Sequence, residues 1–421
     1  MKPFLAKGGP AILFVLAGLV LATRIAAAPV AWVQMVAGGA EARLVTDGPC
    51  PTLRVNGVAT PMHERAAQTE AYANRICAAA LPLATRRIRL DGQALPVPKA
   101  RPNRLVILGD SGCRLKNAVI QHCNDPTAWP FARVAALAAS HKPDLIIHVG
   151  DYYYRETPCP VVEPTCAGSP YGDRWPTWKA ELFDPAAPLL AAAPWVFVRG
   201  NHEDCKRGGA GWFRMLDAAP APRICPAESA TFVVRLGGVR LFIVDSADTE
   251  DLSAPRPQIQ AFAARLKGLA ADHGARDAWI VTHRPIWDTA RLGDILLDGH
   301  VNATERAAVR DIDLTRAQLV LSGHVHNFTS LSFGEARPPQ MIVGTGGDLL
   351  DLDDTPPPAT GTPRVDGLQS RAFTMGRFGY FLLDRSGADW VGAFHDLKDR
   401  VAAICRLHGR ALTCRAPTRP F

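Results

Sequence analysis

Two apolar runs, Leu105-Val106-Ile107-Leu108 and Leu145-Ile146-Ile147-His148-Val149, stop at the same dipeptide, Gly109-Asp110 and Gly150-Asp151. A short continuous apolar run closed by glycine is the pattern of a strand buried on both faces, so layers are required above and below it. An alanine-rich helical stretch, Phe131 to Ala139, separates the two runs. Further buried-strand candidates are Trp195 to Val198, Leu241 to Val244, Trp279 to Val281 and Leu319 to Leu321. Apolar runs that alternate with helices specify an α/β core. The strands before Asp110, Asp151, Asn201 and His283 each deliver a polar residue just past their C-terminal end. That edge is where α/β sheets bind ligands.

Composition narrows the class. With 48% hydrophobic and 21% charged residues in 421, wholesale disorder, a collagen-like fibre and a multi-span membrane protein are excluded. The net charge is +7, but Lys2, Lys7 and Arg24 lie in an acid-free leader, and the other basic residues are scattered. Without a Lys/Arg block or an aromatic-interleaved basic stripe, nucleic acid is not an expected partner. The leader, residues 1–28, has a basic start, an apolar run from Ala11 to Ala22 and the small-residue stretch Ala26-Ala27-Ala28. It reads as a secretory signal peptide or as a retained N-terminal anchor. The run is shorter than the roughly 20 residues of a bilayer span, although Ile25 to Val33 extends it past Arg24. Export to a periplasmic or extracellular space follows from either reading, and a membrane is a partner only where the leader is retained. The ten cysteines include no C-x-x-C pair, and an even count behind an export signal points to disulfides. Sequence does not fix their connectivity, but sequential pairing (50–77, 113–123, 159–166, 205–225, 405–414) would close five short loops.

Residues 29–100 read as a small β-rich accessory domain: short apolar stretches such as Trp32 to Val36 and Arg87 to Leu90 are divided by Gly, Pro and Asp turn signals. Residues 101–421 then form the catalytic domain. Five motifs occur there in order: Gly109-Asp110-Ser111-Gly112, Gly150-Asp151-Tyr152-Tyr153-Tyr154, Gly200-Asn201-His202-Glu203, Ile280-Val281-Thr282-His283 and Gly323-His324-Val325-His326. Together they supply carboxylate, phenolate, amide and imidazole donors without thiolate, a set that suits Fe, Mn or Zn rather than a structural Cys-type zinc site. There are enough ligands for two metals.

These blocks resemble the signature of the calcineurin-like metallophosphoesterases over roughly Asn103 to Gly347, and within them the purple acid phosphatase branch. The superfamily at large has Asp-x-His in the first block, where this chain has Gly112. The purple branch shares that change and adds a tyrosine three residues after the second-block aspartate, here Tyr154. The resemblance implies a four-layer α-β-β-α fold, a two-sheet β-sandwich core flanked by helices. It implies one metal on Asp110, Asp151, Tyr154 and His326, with phenolate favouring Fe(III). A second metal, Fe, Zn or Mn, falls to Asp151, Asn201, His283 and His324, with Asp151 as the bridge. A bridging carboxylate answers a physical need, since two adjacent cations repel.

His202 then faces the substrate, as transition-state stabiliser or proton donor to the leaving alcohol, and Glu203 could orient it. Arg155 and Arg284, beside Tyr154 and His283, are candidates to reach a phosphate oxygen. His148, Tyr152 and Tyr153 read as packing or supporting residues. The expected activity is an exported dinuclear phosphatase that cleaves phosphate monoesters by attack of a metal-bound hydroxide. The alternatives are a phosphodiesterase of the same superfamily and a non-catalytic, metal-stabilised surface binding protein.

Overall fold

The computed structural model describes residues 30–271, 278–351 and 357–418. The leader, and with it the choice between signal peptide and anchor, lies outside the described residues. Each apolar run named above is a strand, and the alanine-rich stretch is the helix Phe131–Ser140.

The strands Arg104–Leu108, Leu145–His148 and Trp195–Phe197 pair in parallel at the centre of an eleven-stranded mixed sheet. A second, eight-stranded sheet is built around the parallel strands Arg240–Ile243, Ala278–Val281, Ala317–Ser322 and Gln340–Val343. Side chains alternate across a strand, which explains why the runs are apolar throughout. Leu105 and Ile107 face inward and pack with Ile147, Val196, Leu241, Trp279, Val281 and Leu321 between the two sheets. Val106 and Leu108 face outward, against Phe131, Val134 and Ala138 of the helix. On the far side, Phe242, Ile280 and Val320 pack against Phe262 and Leu266 of the helix Arg256–Ala271. The order is helix, sheet, sheet, helix. Each fully buried aliphatic side chain in these layers contributes roughly 1.5–3 kcal/mol.

The N-terminal segment is β-rich, and it is continuous with the large sheet. Strand Val30–Val36 pairs in parallel with Trp195–Phe197 through Gln34 and Trp195, and Gly39–Thr46 and Arg75–Leu81 extend the sheet outward. A four-stranded sheet packs on this extension around Leu44, Leu53, Val55, Leu81, Ile88 and Leu90.

Five disulfides follow the sequential pairing: Cys50–Cys77, Cys113–Cys123, Cys159–Cys166, Cys205–Cys225 and Cys405–Cys414. They suggest an oxidising, extracytoplasmic location. Among the described residues, no helix is long and apolar enough to cross a membrane.

Candidate dimetal centre

Asp110, Asp151 and His324 all have left-handed backbone, with φ of 56°, 58° and 71°. Each follows a glycine just past a strand end. Such a conformation costs a side-chain-bearing residue about 1–2 kcal/mol, and its recurrence at one sheet edge marks a place where chain direction matters more than local comfort. The turns are cross-tied: the Asp110 N–H donates to Gly150 O at 2.9 Å, Ser111 N–H to Asp151 O at 3.0 Å and Gly323 N–H to His283 O at 2.9 Å. The His324 N–H reaches the Asp110 carboxylate at 3.0 Å.

The side chains so aimed converge. Tyr154 Oη lies 3.2 Å from Asp110 Oδ1, 2.9 Å from Asp151 Oδ2 and 3.0 Å from His326 Nε2, with His326 Nε2 3.3 Å from Asp110 Oδ1. His283 Nε2 lies 3.1 Å from Asp151 Oδ2 and 3.0 Å from Asn201 Oδ1. Asp151, His283 and His324 bring one ligand atom each within 4.8 Å of one another. Asp151 Oδ2 is common to both groups, the geometry expected of a bridge.

The family model for calcineurin-like phosphoesterases matches residues 104–328, just over half the chain and the part that carries these side chains. The chain belongs to this family. Among solved structures, a purple acid phosphatase, PPD1 from yellow lupin (Lupinus luteus), is similar with a TM-score of 0.56 and 14% identity, over 92% of this chain and 74% of that one. The structure of PhoD is similar with a TM-score of 0.55 and 11% identity, over 93% of each chain. At these identities the likeness is one of fold: two main mixed sheets and an N-terminal β region. A search of the curated proteins gives no significant match.

Calcineurin-like phosphoesterases bind two metal ions, and the donor set here fits them. Ligands about 2.0–2.2 Å from one ion sit roughly 2.9–3.5 Å from each other, the spacing of the Asp110, Tyr154 and His326 atoms. The other ring nitrogens are tied outward. His283 Nδ1 meets Val149 O at 2.8 Å and His326 Nδ1 meets Leu349 O at 2.6 Å, which turns each Nε2 to the centre. His324 Nε2 is engaged by Asp251 at 3.1 Å and Arg284 at 2.9 Å, which leaves Nδ1 for a metal. The cluster also has an appetite for positive charge. Burial depresses both imidazoles, but the surrounding acceptors together outweigh it: chiefly Asp151 with Asp110 at His283, pushed up to about 9, and Asp348 and Asp110 with Asp351 at His326, pushed up to about 10. Burial likewise raises the Tyr154 phenol well above its ordinary value, with Asp151 and Asp110 adding to it, so only a strong cation would draw off its proton.

Gly112 and Tyr154 are physically coupled. A Cβ on residue 112 would lie 2.6 Å from Tyr152 O and 2.7 Å from Tyr154 Cδ2. The missing first-block side chain is the space that the tyrosine ring fills.

His202 lies over this ring, centroids 4.0 Å apart, with its backbone N–H on Asp151 Oδ1 at 2.9 Å and its Nε2 4.0 Å from Asp151 Oδ2. Its Nδ1 faces Glu156 Oε1 at 2.7 Å. Glu203 does not orient it. Both Glu203 oxygens accept backbone N–H groups, from Tyr152 and Tyr153 at 2.9 and 3.0 Å and from Gly200 and Asp151 at 2.9 and 3.2 Å. Arg155 also departs from expectation: it is buried, 3.7 Å from Glu181 and stacked over Trp129, because side chains of adjacent residues leave an extended chain in opposite directions. Arg284 reaches the centre's edge, paired with Asp251 and against His324. Tyr152 and Tyr153 pack as read, on His148 and Trp178, and His148 meets Ser111 Oγ at 2.9 Å.

Sequence reasoning missed Glu156, Glu181, Arg114, Arg207 and Asp348. Glu181 sits in a π-helical turn, Lys179–Phe183, and accepts the Cys113 and Tyr154 N–H groups at 2.9 Å from beneath the ring. Arg114 covers the ring's face at 4.9 Å while bonded to Asp348. Arg207 pairs with Asp204 at 2.9 Å and lies 3.7 Å from Glu156. None of these belongs to a motif block; the one available signal was the acidic residue two places after Tyr154.

Proposed function

We propose that this chain is a dinuclear metal-dependent phosphatase acting on phosphate monoesters, with Asp110, Asp151, Tyr154 and His326 on one metal and Asp151, Asn201, His283 and His324 on the other. Residues 101–421 are the catalytic unit in this reading and residues 29–100 an accessory to it. The observation that carries it is the shared Asp151 Oδ2, with Tyr154 on one side and His283 on the other. Phenolate and carboxylates favour Fe(III) at the Tyr154 position, and a nitrogen-richer set suits Fe, Zn or Mn beside it. Bound metals would supply Lewis acidity toward the phosphoryl oxygens and a lowered water pKa.

The chain's own residues do the rest. His202, with Nδ1 against Glu156 and its ring on Tyr154, would hold or deliver a proton at Nε2 beside Asp151. Glu203 is a positioning residue that holds the Asp151 turn against the Asn201 turn. Arg284 and Arg207 lie at the rim and balance phosphate charge. The test is metal analysis of the purified protein with turnover on a monoester and a diester of one leaving group. Two metals per chain and a higher kcat/KM on the monoester support the reading; preference for the diester overturns the substrate class, and Asp151→Asn with full activity and unchanged metal content overturns the bridge.

A further inference from the structure

A second convergence of donor atoms is formed by three elements outside the dimetal cluster. His141 follows the helix Phe131–Ser140, His395 lies in the strand Asp389–Asp396 and Asp399 in the turn after it, with one ligand atom of each within 4.8 Å of the others. His141 Nε2 is 2.9 and 3.2 Å from the two Asp399 oxygens, and His395 Nδ1 is 2.9 Å from Oδ1. Tyr380 donates its hydroxyl to the same Oδ1 at 2.7 Å and stacks its ring on His395. We propose that His141, His395 and Asp399 form a third metal site, independent of the dimetal centre, that takes a borderline divalent cation, Zn²⁺, with solvent completing its shell.

The donor chemistry, two imidazoles and a carboxylate, is that of zinc. A tetrahedral ion with ligands at about 2.0 Å needs them roughly 3.3 Å apart, and the two nitrogen-to-oxygen separations here, both 2.9 Å, lie within about half an ångström of that. Oδ1 of Asp399 is over-supplied with donors. Two ring nitrogens and a phenol crowd an oxygen with two lone pairs, and a cation between the rings removes that competition by turning both nitrogens into acceptors. Tyr380 would then be the outer hydrogen bond that orients a ligating carboxylate.

The ligands are held in place from three directions. The His141 backbone N–H bonds Ala138 O and its carbonyl accepts from Arg104 at 3.0 Å. His395 is fixed in the ladder opposite Tyr380. Asp399 has φ of 58° and its N–H bonds Asp396 O at 2.9 Å. The neighbouring guanidinium groups of Arg400 and Arg377 each lie against Asp396. The Asp399 and His141 side chains remain 36% and 22% exposed, so an ion can enter from solvent. Bound there, it would clip the helix to the hairpin behind it.

The test compares the full chain with His141→Asn, His395→Gln and Asp399→Asn, each loaded to constant turnover of p-nitrophenyl phosphate and dialysed against Zn²⁺. Elemental analysis should give one metal equivalent fewer in each variant, with kcat unchanged, and added Zn²⁺ should raise the melting temperature of the wild type alone. Equal metal content in wild type and variants overturns the site and leaves a metal-free hydrogen-bonded clasp. Should no variant fold, the wild type decides by itself: no Zn²⁺-dependent rise in melting temperature at constant activity overturns the proposal.

Discussion

Replacing Gly112 by alanine adds one methyl group and should disable the centre. The new Cβ would stand 2.7 Å from Tyr154 Cδ2, 2.6 Å from Tyr152 O and 3.0 Å from Glu181 Oε1, whereas ordinary contact begins at 3.4 Å. The carbonyl is fixed in its turn and Glu181 by the Cys113 and Tyr154 N–H groups, so residue 112 must shift off the carbonyl and the ring must give way by about 0.7 Å. Overpacking of this size costs about 1–3 kcal/mol of stability. Its effect on chemistry is comparable, because a misplacement near 1 Å is worth about 100-fold in rate, or about 2.7 kcal/mol. The assay is kcat/KM on p-nitrophenyl phosphate with the melting temperature and visible spectrum of the iron-loaded protein. Tyr154→Ala is made alone and with Gly112→Ala. The single glycine variant should lose roughly 100-fold in kcat/KM and its visible band while still melting cooperatively. In the Tyr154→Ala background the alanine should add less than it costs alone, since the ring it strikes is gone and only the contacts with the Tyr152 carbonyl and Glu181 remain. Activity within threefold of wild type, or full additivity of the two changes, would refute the coupling.

Tyr154→Phe should bleach the iron-loaded protein and shift its metal preference toward divalent ions while one metal is retained, read by visible absorption and metal analysis. Burial pushes the Asp288 carboxyl up to about 7 from 3.8, with Arg306 opposing and Asp298 adding. A raised carboxyl pKa means that the folded state holds a proton the unfolded chain has released, so stability is lost as pH rises from about 4 to about 7. Asp288→Asn should remove about 2.7 kcal/mol of that decline between pH 5 and pH 8, measured by denaturant unfolding at those two values; an unchanged pH slope would refute it. Removing the Cys205–Cys225 bridge, which spans 20 residues, with alanine at both positions should cost about 3 kcal/mol. Loss of activity at lower temperature than loss of fold is expected, because the bridge restrains the loop after His202.

The layers and the metal-binding edge were legible because burial on both faces leaves an unbroken apolar run, and because a strand that ends in Gly-Asp or Gly-Asn announces its own C-terminal edge. Tyr154 was legible through Gly112, since each makes sense only with the other. What surrounds the centre was not. Glu181 is presented by a π turn that has no sequence signature, and Glu156 meets His202, with Arg207 against Glu156, only after two loops fold over each other. Arg155 and Glu203 were placed by adjacency, which misleads: a neighbour in sequence points elsewhere unless the local turn brings both to one side. The cluster of His141, His395 and Asp399 was equally hidden, its first member separated from the others by about 250 residues of sequence.

The five bridges and the two sheets make opposite demands on folding. Each cysteine finds its partner within 7 to 27 residues, so correct oxidation is a local event that can proceed as the chain emerges. The large sheet is the reverse. Val30–Val36 must wait for Trp195–Phe197, and Arg104–Leu108 remains an edge until Gly379–Ser386 arrives from near the other end of the chain. High contact order of this kind folds slowly, and until the late strand docks, the strand that leads into Asp110 is an unpaired template for any passing β-segment. Truncation at the C-terminus should therefore show itself first as aggregation from that edge, in a protein whose disulfides are already complete.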